Sequence, residues 1–271
     1  MRVAALHTYP VKGCRRLDHR SATVEPWGLA GDRRWMIIDP DGKEVTQREV
    51  ARLALLRVLP VGNGLQLSFP DTAPLLVEQP EPDPAVLSTL WGRPLPATAA
   101  GPAADALLSK ELGRDVRLVW MDDPATRRPV PEPELNLPTD RVSYADGYPL
   151  LLANTASLDR LNDWIFEGGS DEGPLPMARF RPNVVIEGTV PFAEDGFIGR
   201  RLRIGDVVFR VPSACGRCVV TTTDQETGER GHEPLRSLAR YRNVNQKLLF
   251  GVNLVPHTVG EIRVGDPVQL S

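Results

Sequence analysis

Proline and glycine interrupt this chain so often, at 26 and 23 residues in 271, that long helices have little room. Short elements joined by turns must carry the fold. In the first third, apolar and β-branched runs predict strands over 2–8, 22–25, 33–39, 43–46, 55–59, 65–69 and 75–78. Asp41-Gly42 and Asn63-Gly64 lie between them, where Asn and Gly tolerate positive φ and so turn one strand back on the next. This pattern predicts a β-barrel or sandwich-like start.

Composition narrows the function classes. The 41% hydrophobic and 25% charged fractions are those of an ordinary globular chain, which argues against disorder. The 32 basic and 35 acidic residues give a net charge of −3, so neither general nucleic-acid affinity nor an acidic coat is expected. No run of about 18 apolar residues is present, and residues 1–8 are too short for a signal-peptide core, so the expectation is a soluble cytoplasmic protein without membrane contact. Three cysteines are too few for a secreted disulfide framework, which turns attention to metal or thiol chemistry.

Along the chain, Ala104, Leu107, Leu108 and Leu112 mark one face of a helix closed by Gly113, and 116–120 returns to strand. Residues 122–140, rich in proline and charge without apolar period, read as a linker or surface loop. Beyond it, 149–153 predicts a buried strand. Leu158, Leu161 and Ile165 then line a helix with Asn154 or Thr155 as its cap. Strands follow over 183–187, 201–204, 207–211 and 219–223, with a short helix through Leu235 and Leu238. The expected class is α+β and β-dominated: an N-terminal β-barrel-like domain over 1–121, the 122–140 linker, and a second β-barrel domain over 141–271 with a few short helices.

Cys215-Gly216-Arg217-Cys218 is the sharpest local signal. A thioredoxin-type pair should open a helix, whereas the β-branched 219–223 segment argues for a strand. A structural zinc site needs two further ligands, and no second paired motif is available. A single thiolate could instead ligate a softer metal held mainly by a cofactor, with Arg217 favouring the thiolate. A pair of small buried thiols is the alternative without chemistry. Lys12, Arg33 and Arg181 each lie where a strand meets a loop, and three such cations can converge on one phosphate.

Several separated motifs then stand in order: Tyr9-Pro10-Val11-Lys12-Gly13-Cys14, Gly28-Leu29-Ala30-Gly31-Asp32-Arg33-Arg34-Trp35, Phe180-Arg181-Pro182-Asn183, the Cys215–Cys218 segment with Thr221-Thr222-Thr223-Asp224, and Gly265-Asp266-Pro267-Val268. Together they resemble the MOSC-domain proteins with an N-terminal MOSC β-barrel domain, the branch of the mitochondrial amidoxime-reducing component. The resemblance implies a molybdenum cofactor, Mo-molybdopterin, held between two domains. It implies Cys218 as metal ligand and catalytic residue. Lys12, Gly13 and Arg33 are implied as cofactor contacts from the first domain, and Gly147, Tyr148, Arg181, Asn183, Gly216, Arg217 and Asn253 from the second. Gly13, Tyr148 and Asn253 depart from residues common among relatives. Cys14 and Cys215 are expected to be small buried residues, and His232 and His257 structural or surface ones.

The activity implied is reduction of N-hydroxylated compounds, such as hydroxylamines, amidoximes and N-hydroxylated bases, to amines or amidines. A non-catalytic cofactor carrier or sulfur-transfer protein is the alternative, and pyridoxal phosphate binding is a further association of the resemblance. The chain has too few cysteines for an ordinary iron-sulfur cluster and no Rossmann glycine fingerprint, so electrons are expected from a separate electron-transfer protein or reductase.

Overall fold

The computed structural model describes residues 1–127, 130 and 137–270, so part of the expected linker lies outside the described residues. β-structure dominates, with four α-helices among the described residues: α1 (Pro102–Leu112), α2 (Pro124–Arg127), α3 (Thr155–Glu167) and α4 (Leu235–Tyr241). Gly113 ends α1 in the left-handed conformation, with its N–H donated to Ser109 O. Asn154 caps α3 by accepting the Ala156 N–H at 3.2 Å.

The largest sheet has ten strands and is mixed. Its central path runs Leu17–His19, Arg2–Thr8, Val184–Glu187, Leu150–Asn154, Lys247–Pro256, Val207–Arg210, Arg201–Ile204 and Val268–Leu270. The first strand of the chain therefore pairs antiparallel with Val184–Glu187, Leu6 opposite Val184, and Ser21–Glu25 pairs with Gly260–Arg263. Val3, Leu6, Val24 and Leu29 share one apolar core with Leu152, Val184, Phe209 and Val252. A second core gathers Tyr9, Val11, Trp35, Leu53, Leu67, Leu108 and Trp120 under the smaller sheets. None of the four sheets closes on itself by hydrogen bonding among the described residues.

Three local expectations are corrected. Residues 219–223 do not form a strand: Val219–Thr222 is one turn of 3-10 helix. There Thr221 and Thr222 donate their hydroxyls back to the carbonyls of Cys218 and Val219, at 2.9 and 2.8 Å, and this local bonding outweighs β-branched propensity. Residues 43–46 make only isolated bridges, Ile38 with Glu44 and Lys43 with Thr89. The strand expected from 33 begins at Trp35, because Arg33 sits at φ +49. The sequence reading also lacked a hairpin, Val86–Leu90 with Arg93–Ala99, turned by Trp91 and Gly92. Pro94 and Pro96 hide it from strand propensity. Being two apart, they withhold their N–H groups from the same strand edge and leave the other intact.

Candidate cofactor site

Where the two cores meet, a cavity of about 510 Å3 opens. Lys12, Gly13 and Arg33 line it from the first half of the chain, and Gly147, Tyr148, Arg181, Asn183, Gly216, Arg217, Cys218 and Asn253 from the second. Every residue that the resemblance implies as a cofactor contact, and Cys218, thus lines the same cavity.

Backbone tethers set the cations in place. The Lys12 N–H donates to Trp35 O at 2.7 Å, and the Arg33 N–H donates to Tyr9 O at 2.9 Å. Arg33 and Arg181 both occupy the left-handed region, at φ +49 and +54. Such backbone is uncommon for residues with a Cβ, and it concentrates at functional sites. Their guanidinium groups lie 4.5 and 4.1 Å from the centre of the Tyr9 ring. Burial pushes the Tyr9 hydroxyl up to about 12, against the opposing pull of Arg181 and Arg33. Arg33 pairs with Asp32; burial works against its charge, but Asp32, Tyr9 and Asp146 together outweigh this and hold its pKa above the ordinary value. Arg181, 8% exposed, donates to Cys14 O (2.7 Å) and Gln225 Oε1 (3.2 Å) but meets no carboxylate within ion-pair distance among the described residues. Burial accordingly draws its pKa below the ordinary value.

Asn183 serves mainly to hold this group together. Its Nδ2 donates to His7 O and Asp32 Oδ2, both at 3.1 Å, and its Oδ1 accepts from Arg33 Nη1 and the Leu151 N–H, both at 3.2 Å. All its amide capacity is spent on the scaffold. Asn253 is less committed: its Nδ2 reaches Ser213 Oγ at 3.1 Å and Ala214 O at 3.3 Å.

The structure adds residues that no local signal marked. Asp146 accepts from Lys12 Nζ and from Arg48 Nη2, the latter at 3.0 Å. Its side chain opens to the cavity while protein surrounds it, and burial would raise its pKa; Lys12 and Arg48 overcome that and hold it well below the usual carboxylate range. Arg48 also lines the cavity with Cys218, close enough for the two to interact electrostatically. The cation expected beside Cys218 was Arg217, yet Arg217 Nη1 donates to Cys215 Sγ at 3.0 Å and its Nη2 to Phe180 O at 2.7 Å. Cys14 is fully buried as expected, but Cys215 is half-buried and lines the cavity. His232 is exposed and lies against Glu172. Arg48, one of many arginines, carries no spacing signal; only the tertiary fold brings it to the sulfur.

The wall therefore carries six cationic side chains, Lys12, Arg33, Arg48, Arg181, Arg217 and Lys247, against one carboxylate, Asp146. Such an excess suits an anionic ligand. A family model of the MOSC N-terminal beta barrel domain matches residues 1–115, and a MOSC domain model matches residues 139–269. The chain is 34% identical to human mitochondrial amidoxime-reducing component 1 over 99% of its own length and 82% of that protein. The chain belongs to the MOSC-domain family, in its amidoxime-reducing-component branch. This MOSC protein is also 32% identical to human mitochondrial amidoxime reducing component 2, over 98% of this chain and 82% of that one. With molybdenum cofactor sulfurase of Drosophila grimshawi it shares 30% identity over 98% of this chain, which matches 34% of that longer protein. No helix among the described residues is long and apolar enough to cross a membrane.

Proposed function

We propose that this MOSC protein is a molybdenum-cofactor-dependent oxidoreductase that reduces N-hydroxylated compounds to amines or amidines, with Cys218 as the protein ligand to the metal. The observation that carries this reading is the cation-rich cavity lined by Cys218 and by a buried guanidinium, Arg181, that has no carboxylate partner among the described residues. The donor set fits the group. Arg217 Nε has no hydrogen-bond partner among the described residues, and a Cβ at Gly147 would meet no protein atom within 4 Å, so the protein's own packing leaves room on that wall. Lys12, Arg33 and Arg181 would balance phosphate charge, and Gly147 and Gly216 would let backbone approach the pterin, whereas a Cβ at Gly13 would meet Leu53 of the core. When bound, the cofactor supplies two-electron redox chemistry at the metal.

The remaining work falls to the chain. Arg48 brings a further positive charge, besides Lys12, to the cavity wall that Cys218 shares. Asp146, kept ionised by Lys12 and Arg48, fixes both cations at the cavity wall. Asn183 orders Asp32 and Arg33, and the Gln47–Gln225 amide pair holds Gly13 and Arg181 from opposite halves. Electrons come from a separate electron-transfer protein or reductase, since three cysteines do not furnish an ordinary iron-sulfur cluster.

Similarity to a cofactor sulfurase supports the second reading, a cofactor carrier or sulfur-transfer protein without turnover. No observation favours pyridoxal phosphate. The deciding experiment measures metal, pterin fluorescence and benzamidoxime reduction with a chemical electron donor on the same purified protein. Wild type is expected to turn over, and Cys218→Ser to lose turnover by at least about a hundredfold while keeping its circular dichroism. Metal and pterin without turnover would install the carrier; full turnover by Cys218→Ser would remove the sulfur from the metal.

A further inference from the structure

Beside the cofactor cavity lies a second one of about 430 Å3, and the two share Thr46 and Arg48. Its wall includes Lys43, Glu44, Glu49 and Trp91. Two cations face two carboxylates here, in contrast to the six against one next door, so the second cavity suits a neutral occupant.

Trp91 is placed there at a conformational cost. It is 54% exposed, whereas Trp35 and Trp120 are almost wholly buried. With Gly92 it forms the two-residue turn of the Val86–Leu90 and Arg93–Ala99 hairpin, at φ +54 and +71. Turns with both central residues at positive φ favour Asn-Gly or Asp-Gly, and a bulky aromatic in the first position is disfavoured. Glu44 Oε1 accepts the Trp91 N–H at 3.1 Å and fixes the turn. The Arg48 guanidinium lies 4.5 Å from the centre of the indole, and Arg48 also lines the cofactor cavity that contains Cys218. Arg48 thus joins the wall that carries the exposed indole to the wall that carries Cys218. Strained backbone that presents a large apolar ring beside a site is a mark of binding rather than of packing.

We propose that the second cavity is the substrate subsite, and that Trp91 stacks the ring of planar aromatic N-hydroxylated compounds, amidoximes and N-hydroxylated bases, with the N–O group directed past Arg48 toward Cys218. This rests on the reductase reading for the reaction, but not for the binding. The subsite confers a preference for aromatic over aliphatic substrates of the same functional group.

The test uses the cofactor-loaded protein with benzamidoxime and acetamidoxime. Trp91→Ala should raise the KM for benzamidoxime about tenfold, the worth of one stacked ring, and leave kcat and the KM for acetamidoxime within about twofold. Trp91→Phe should keep most of the affinity. Trp91→Asn, which accepts the turn conformation more readily, should raise the melting temperature while losing benzamidoxime. Saturation-transfer NMR on oxidised protein without reductant reads benzamidoxime binding independently of turnover. Binding that survives Trp91→Ala, or a KM that rises equally for both compounds, overturns the subsite. If benzamidoxime binds through Trp91 but neither compound is reduced, the subsite stands and the reductase reading falls.

Discussion

Asp146 is the residue on which most of the cavity's charge arrangement turns. It accepts from Lys12, which is 6% exposed, and from Arg48, which lines the same cavity as Cys218. Its folded-state pKa lies below the ordinary value because these two cations outweigh its burial. A depressed carboxylate stabilises the fold in full above its unfolded pKa, about 3.9, and that contribution is lost as pH falls through the lower folded value. Wild type should therefore be more stable than Asp146→Asn at pH 7, with the difference shrinking as urea unfolding is repeated below about pH 4. A gap that stays constant down to pH 2 would mean that the carboxylate charge contributes nothing. Arg33 and Arg181 were legible as cations at strand ends, since each sits in a motif with glycine or proline beside it. Arg48 was not, because nothing within a few residues distinguishes it from a solvated surface charge; Asp146 precedes Gly147 and Tyr148, yet its pairing with Lys12 and Arg48 spans too much chain to be read locally.

At the scale of elements, boundaries set by capping and turn chemistry were readable and those set by competing hydrogen bonds were not. Gly113 ends α1 and Asn154 begins α3, both as residue type dictates. The turn after Cys218 went the other way, because threonine hydroxyls supplied local acceptor satisfaction that propensity scales average out. Asn154 does more than cap. Its Nδ2 donates to Val190 O at 2.9 Å and to Glu194 Oε2 at 3.2 Å, and Glu194 is fully buried with its pKa raised chiefly by burial. Asn154→Ala removes a cap and a donor to a buried carboxyl together, so a loss of about 2–3 kcal/mol is expected in chemical denaturation. A loss below about 0.5 kcal/mol would show that neither bond contributes net stability.

In the whole molecule, the halves are joined by polar contacts as well as by strand exchange. Gln47 Nε2 donates to Gln225 Oε1 at 3.1 Å and Gln225 Nε2 donates to Gln47 Oε1 at 3.0 Å, both side chains buried, while Gln47 also supports Gly13 O at 2.7 Å. Replacing either with alanine strands the other, so the two single variants should each cost more than the second replacement adds. A double-mutant cycle should give a coupling of about 1–2 kcal/mol, and additivity within about 0.3 kcal/mol would mean that the amides act independently.

The sequence by itself determined the short strands, the helix ends, the β-dominated class and the set of motif cations, because each is written in backbone chemistry spanning a few residues. Only the tertiary structure decided which charges meet. Arg48 reaches Asp146 across 98 positions and Gln47 reaches Gln225 across 178. It also decided that the opening strand completes the sheet of the second half. Such meetings depend on strand order and on how two cores abut, and a one-dimensional pattern of apolar and polar residues specifies what must be buried without specifying beside whom.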